Sequence, residues 1–158
     1  MANTPAVEVL WQFSLTLYPK MQSLFLQWQD ELGANVNLLL LLCYLEQQQL
    51  SLTSTQLQQL AAALTHFSAQ FTQPLRQLRK NATGSGLSTA LQQQLKQSLL
   101  QAELELERLE QQLLLAHCPQ LINKATPLLE LYLAYLNAKP ATLTAQLVDL
   151  RQSYSNLA

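Results

Sequence analysis

Residues 36–45 read VNLLLLLCYL, and this stretch decides the fold. On a helix Val36, Leu40 and Cys43 fall on one side and further leucines fill the other, so no face is polar throughout. A helix that is apolar all round belongs in the middle of a bundle. The stretch is also too short to cross a bilayer, which takes about 20 residues.

The sequence just before this central helix is polar. Residues 28–37 read WQDELGANVN and form a corner between two helices. Some of these polar groups must lie near the core, where leaving one unpaired costs about 1–3 kcal/mol. One interpretation is structural: Asn35 caps the central helix, and Asn37 or Asp30 holds the corner. The other is functional, a polar-bottomed pocket lined by four aromatic residues: Trp11, Tyr18, Trp28 and Tyr44.

Two longer stretches have apolar residues three and four positions apart, the pattern of helices that pack along one stripe. The members are Leu57, Leu60, Leu64, Phe67 and Phe71 in the first, and Leu95, Leu99, Ala102, Leu106, Leu109, Leu113 and Ala116 in the second. A loop with two glycines, residues 81–86, separates them. We expect an antiparallel helical hairpin over about 56–116.

Prolines indicate where helices begin in the rest of the chain. Thr4-Pro5 predicts a helix start, with that helix running to about Leu17, and Pro19 predicts a second helix over about 20–32. After the hairpin we expect helices over about 127–138 and from 142 or 144 to near 154. No segment alternates with the period of a strand. The sequence therefore predicts one all-α domain over 1–158, a bundle of about seven helices.

Composition narrows the class of protein but not its chemistry. The chain has 158 residues and a net charge of −1, and 40 leucines and 23 glutamines make up much of it. Disulfide scaffolds, collagen-like chains and disordered chains are excluded. Cys43 and Cys118 are too few to form the spaced pairs of a disulfide framework, so we expect reduced thiols. No Lys or Arg precedes Lys20, so the positive start of a secretory signal is missing and we expect a cytoplasmic location.

Motifs for metal, cofactor or nucleophilic chemistry are missing from the sequence. His117 and Cys118 are neighbours, so on a helix they point about 100° apart and do not converge on one ion. Gly84-Ser85-Gly86 lacks the lysine of a phosphate-binding loop. We therefore expect no metal, no cofactor and no catalytic residue, which makes an enzyme the less favoured class.

Charges beside the apolar stripes are few. Arg76 and Arg79 lie one turn apart, and Glu103 and Glu107 lie one turn apart on the second stretch. A regular hairpin places 74–80 opposite the first turns after Gly86, so a bridge to Glu103 requires a skewed pairing. The charges could form surface ion pairs worth about 0–1 kcal/mol, or bind an anion. A nucleic-acid contact through the basic residues is the least favoured interpretation.

Four segments of the sequence stand out: WQFSL at 11–15, QDELGANVNLLL at 29–40, PLRQLR at 74–79 and ELELER at 103–108. Together they resemble a small proteobacterial family classed as a domain of unknown function. The resemblance covers roughly residues 10–115. It implies an all-helical cytosolic bacterial protein and brings no established activity.

Two functions remain open. The first is a non-catalytic interaction or adaptor protein that binds a protein partner, another protein or a second copy, through a leucine-rich helix face. The second is a small-molecule or anion-binding bundle or enzyme with a pocket at the Asp30/Asn37 corner, which requires a cavity of at least about 300 Å³. It predicts that six polar residues converge: Asp30, Asn37, Arg76, Arg79, Glu103 and Glu107.

Overall fold

The computed structural model describes residues 4–157, and most of them are helical. In chain order the elements are α1 (Val7–Leu32), α2 (Val36–Gln47), β1 (Leu50–Ser51), α3 (Ser54–Phe67), α4 (Gln73–Lys80), α5 (Thr89–His117), β2 (Ile122–Asn123), α6 (Leu128–Tyr135) and α7 (Thr144–Ser155). A π-helical segment, Ser68–Thr72, joins α3 to α4 without a break. The described residues thus form six continuous α-helical stretches. The predominantly helical fold is confirmed, with one helix fewer than predicted.

The break predicted at Pro19 is present as a kink between two helical halves, not as a gap between two separate helices. Residues 7–32 form one helix with a kink, and the kink appears at Met21, whose φ of −124° and ψ of 19° are not helical. Proline lacks an N–H and crowds the preceding turn, so it bends a helix without having to end it. Leu17 and Leu24, on either side of the kink, are both buried. Packing on both sides therefore keeps the two halves in one helix, which starts at Val7, after the predicted Thr4-Pro5 start.

The central helix is confirmed. Eight of the 12 residues of α2 are buried, and α2 contacts α1, α5, α6 and α7. Burying one leucine side chain contributes about 1.5–3 kcal/mol, so the leucines of α2 are a main source of stability. The buried residue Asn37 in its first turn is the polar exception.

The hairpin is antiparallel but skewed. Arg79 contacts Glu103, and Thr72, seven residues earlier, contacts Glu110, seven residues later. This register leaves the first turns of α5 beyond the end of α4, with a 3₁₀ turn at Asn81–Gly84 between them. The skewed pairing that a bridge to Glu103 requires is therefore present.

The leucine stripe predicted to be the inner face of α5 is half-buried or exposed, and Leu109 is 46% exposed. Glu103, Glu110 and Gln111 are instead at most 3% exposed. Because α5 contacts α1 and α2 as well as the first arm of the hairpin, the polar first turn of α2 sets which face turns inward. The prediction that this stripe forms the buried face of α5 is therefore wrong.

Two short strands and two helices complete the fold. Leu50 pairs with Asn123, and Ser51 pairs with Ile122, in an antiparallel ladder that the sequence did not predict. Strands of two residues are too short to show alternation. Within residues 4–157, none of the helices combines the length and the apolar character that a bilayer crossing requires.

Candidate functional site

A cavity of about 660 Å³ opens between α1, the start of α2, the α3–α4 arm and α5. The six polar residues predicted to converge all line it: Asp30, Asn37, Arg76, Arg79, Glu103 and Glu107. Its volume exceeds the 300 Å³ that the pocket hypothesis requires and is typical of small-molecule sites. The residues meet because the corner, the kinked α1 and the skewed hairpin surround one space.

The corner between α1 and α2 is built by Gly33 and Asn35. Gly33 ends α1 in the left-handed conformation, with a φ of 72°. The side-chain oxygen of Asn35 accepts from the backbone N–H of Leu38 over 3.1 Å, so the predicted cap is confirmed. The exposed Asp30 lies on the cavity's rim, and Asn37 is the residue that holds the corner.

Glu110 forms the floor of the cavity. Its Oε1 accepts from the side-chain N–H groups of Asn35, over 3.2 Å, and Asn37, over 3.0 Å. Its Oε2 accepts from the hydroxyl of Thr72, in the π-helical segment. Three donors and no ion-pairing cation among residues 4–157 therefore hold this buried carboxylate.

Gln111 lies beside Glu110 and is 1% exposed. Its Nε2 donates to the hydroxyl oxygen of Ser14 over 2.9 Å and to Oδ1 of Asn37 over 3.1 Å. Its Oε1 is a buried oxygen without a hydrogen-bond partner among residues 4–157. Such orphaned groups are rare in protein interiors, since each costs about 1–3 kcal/mol.

An ion pair crosses the hairpin at the cavity wall. Arg79 donates to Glu103 through Nε and, over 3.4 Å, through Nη2, and this bonding raises the pKa of Arg79. Arg76 is less engaged, because its Nε lies 3.6 Å from Oε1 of Glu103, beyond a good hydrogen bond. Arg76 therefore keeps most of its N–H donors for other acceptors.

Glu107 faces the same cavity, where no described residue pairs with its carboxylate. Its carboxylate makes neither an ion pair nor a hydrogen bond with residues 4–157, although its backbone oxygen accepts from Asn37 over 3.4 Å. Burial raises the pKa of Glu107 from 4.5 to about 6, with Arg76 acting in the opposite direction and Glu110 adding to the rise. A carboxylate with a raised pKa in a cleft is a common mark of a functional site.

Two of the four predicted aromatic residues line the cavity. Trp11 lies at the rim, with the guanidinium of Arg108 4.9 Å from its ring centre. Tyr18 lies in the wall, where burial raises the pKa of its hydroxyl and the nearby charge of Glu107 adds to the rise. These two rings sit beside the charged side chains.

The other two aromatic residues lie elsewhere, contrary to expectation. Trp28 is 1% exposed in the core and donates its Nε1–H to Oε1 of Gln146 over 3.1 Å. Tyr44 packs edge-on against Phe13, with ring centres 5.3 Å apart. Neither ring is among the residues that line the cavity.

Residues 9–114 match a family profile described as Protein of unknown function (DUF2390). The chain belongs to this family. Every residue that lines the cavity, from Trp11 to Gln111, falls inside the matched range, whereas α6 and α7 fall outside it. No curated protein and no solved structure shows a significant match to the chain.

Four contributors to the site were not among the predicted site residues: Ser14, Thr72, Glu110 and Gln111. Glu110 carries a usable signal, because it lies seven residues after Glu103 and therefore on the same helix face. Ser14 and Thr72 carry none, since an isolated hydroxyl on a helix is ordinary. No group of three or more acidic, histidine or cysteine side chains within residues 4–157 is arranged to hold a metal ion.

Proposed function

We propose that this protein binds a small molecule in the cavity between α1, α4 and α5. The observation that carries the proposal is the carboxylate of Glu107, which has no partner among residues 4–157 and faces this space close to the largely unengaged Arg76. Removing a charge from water is costly unless a partner is supplied. A bound ligand supplies partners for both groups.

The π-helical segment supports the proposal. Segments of π-helix are rare inside α-helices and are frequent at functional sites. Here Ser68, at its start, lines the cavity, and Thr72, at its end, donates to Glu110. The segment also leaves Phe71 50% exposed, although the apolar spacing predicts an inward position. In this segment the hydroxyl of Thr72 therefore faces inward and the ring of Phe71 faces outward.

The location of the cavity gives further support. It lies wholly within the part of the chain that matches the family, and apolar side chains such as Leu15, Leu40 and Leu100 share its wall with the polar groups. Ligand pockets usually combine apolar surface with a few convergent polar groups, and in this cavity the polar residues are the more numerous.

A fragment screen by saturation-transfer NMR tests the proposal. Leu104→Trp places a larger side chain at the cavity wall, and Leu109→Trp makes the same change on α5 outside the cavity. Both leucines are exposed by more than 40%, so both variants should fold. We expect fragments that bind the unmodified protein to lose binding in Leu104→Trp and keep it in Leu109→Trp. Absence of any bound fragment, or equal effects of the two variants, would overturn the proposal.

A second candidate is self-association, which would serve the interaction role expected from the sequence. It is favoured by exposed apolar side chains near the hairpin tip: Leu78, Leu87 and Leu91 are 57%, 40% and 47% exposed. Sedimentation at increasing concentration tests it. A dimer that Leu91→Ser disrupts, and that Val9→Ser on α1 leaves intact, supports this role; a monomer at all concentrations excludes it.

A further inference from the structure

The charges that line the cavity are nearly balanced, and several already have partners. Arg79 and Glu103 neutralise each other across the hairpin. Glu110 accepts from three donors at the floor. Two groups near the middle remain open, Glu107 and Arg76. A ligand therefore finds one negative and one positive group rather than a field of one sign.

The two open groups are neighbours that do not touch. In the register set by Arg79–Glu103 and Thr72–Glu110, Arg76 lies opposite the helical turn that contains Glu107. Arg76 is also the strongest influence that favours the charged form of Glu107, yet they form no ion pair. A molecule that carries a positive and a negative group close together can contact both Glu107 and Arg76.

The rim repeats this pairing of charges. Asp30, at the end of α1, and Lys80, at the end of α4, are exposed and line the cavity opening. The wall between rim and floor includes Leu26, Val36 and Leu104. The cavity thus combines paired charges with apolar surface.

We infer that the ligand is a zwitterion with an apolar body, its ammonium group at Glu107 and its carboxylate at Arg76. This is the chemistry of apolar α-amino acids and of short peptides with free ends. The inference rests on the proposed function and names the ligand class. A polyanion such as a nucleic acid or nucleotide fits poorly, because Glu103 lies beside both arginines and Glu110 lines the same cavity. A simple amine leaves most of the N–H donors of Arg76 without an acceptor.

Calorimetric titration with matched probes tests the inference. The probes are L-leucine, leucyl-phenylalanine, its N-acetyl derivative and its C-terminal amide, with inorganic phosphate as an anion control. We expect L-leucine or the free dipeptide to bind. If the dipeptide is the ligand, its N-acetyl derivative and its C-terminal amide should each bind at least about tenfold more weakly, because each loses one charge-assisted hydrogen bond. Binding of leucine rather than the dipeptide identifies a single amino acid as the ligand. In that case 3-methylbutylamine and 4-methylpentanoate serve as its single-charge analogues.

Two variants assign the two ends. Arg76→Met should weaken zwitterion binding about tenfold or more and leave binding of the amine-only analogue nearly unchanged. Glu107→Gln should weaken zwitterion binding similarly and spare the acid-only analogue. Arg76→Lys, which keeps the charge, should restore part of the affinity. Urea unfolding of each variant confirms that it folds.

The outcomes separate the inference from the proposed function. Equal affinity for zwitterionic and single-charge probes, or binding of phosphate alone, overturns the ligand class. If the zwitterions fail while fragments still bind in the Leu104-dependent manner, the inference is wrong and the cavity remains a binding site. If neither zwitterions nor fragments bind, both are wrong.

Discussion

Asn37 donates a side-chain N–H to Oε1 of Glu110 over 3.0 Å, and both side chains are buried. Asn37 lies in the first turn of the buried central helix α2, and Glu110 lies 73 residues later on α5. Asn35 and Thr72 donate to the same carboxylate. One acidic side chain thus joins three helical segments around the base of the cavity through hydrogen bonds.

Replacing Asn37 should therefore be costly. Asn37→Ala removes one donor from Glu110, one donor from the backbone oxygen of Glu107 and one acceptor from Gln111, so buried polar groups lose partners. We expect the free energy of unfolding to fall by about 1–3 kcal/mol, measured by urea denaturation. The exposed Asn156 is a matched control, and Asn156→Ala should change stability by less than about 0.5 kcal/mol. Equal effects would show that the buried network adds no stability.

Gly33 gives a test of the corner. Its φ of 72° is strained for any residue with a Cβ, although no atom lies within 4 Å of where a Cβ would be. Gly33→Ala should cost about 1–2 kcal/mol through backbone strain. Gly84→Ala meets equally open space without a positive φ, so it should be close to neutral. Thermal unfolding of the two variants checks the difference, and a neutral Gly33→Ala would contradict it.

The central helix and its corner were predictable because their signals are local. An all-round apolar stretch needs no partner to be recognised, and Asn35 and Gly33 act on residues within a few positions of themselves. The same holds for the hairpin loop. The convergence of Arg79 and Glu103 was harder to predict, because a regular hairpin register separates them.

The inward face of α5 is set by tertiary contacts, so the spacing of its leucines predicted the wrong buried face. The leucine stripe predicts one buried face, but donors from α2 and the π-helical segment make it favourable to bury Glu110 instead. The π-helical segment itself has no clear local signature beyond the nearby Pro74. The contact of Arg151 with Glu46, 105 residues apart, has none at all.

Arg151 joins α2, α6 and α7 through two carboxylates. Its Nε lies 2.9 Å from Oε1 of Glu46, whose side chain is 7% exposed. It also donates a hydrogen bond to Glu130, and this bond lowers the pKa of Glu130. Arg151→Leu leaves Glu46 buried without its cation. We expect a loss of roughly 2–4 kcal/mol, below the usual range for a fully buried pair because Glu46 keeps the hydroxyl of Tyr154 as a donor.

The matched control is Arg108→Leu. Arg108 pairs with Glu8 over 3.1 Å, but both side chains are well exposed. Such pairs contribute about 0–1 kcal/mol, so this variant should lose about 1 kcal/mol or less. Guanidinium chloride denaturation of both variants measures the contrast. A loss in Arg151→Leu no larger than in Arg108→Leu would show that the buried cluster does not stabilise the docking of α6 and α7.

Glu107 should make stability depend on pH. Its pKa is about 6 in the folded protein against 4.5 for an unperturbed carboxyl, so between these values the folded state binds more protons than the unfolded state. Stability is then fully kept below about pH 4.5, falls as the pH rises to about 6, and stays lower above that. Arg76 and Arg79 limit the effect, and Glu103 and Glu110 increase it.

Glu107→Gln should remove this dependence. At pH 7.5 the variant should be more stable than the unmodified protein by about 1–2 kcal/mol, and the difference should vanish near pH 4.5. Urea denaturation across pH 4–8 measures it, with Glu105→Gln as a control, because Glu105 is exposed on the same helix. A difference that is constant with pH would show that folding does not raise the pKa of Glu107, and a destabilised Glu107→Gln would mean that its carboxylate has a partner and is not open to a ligand.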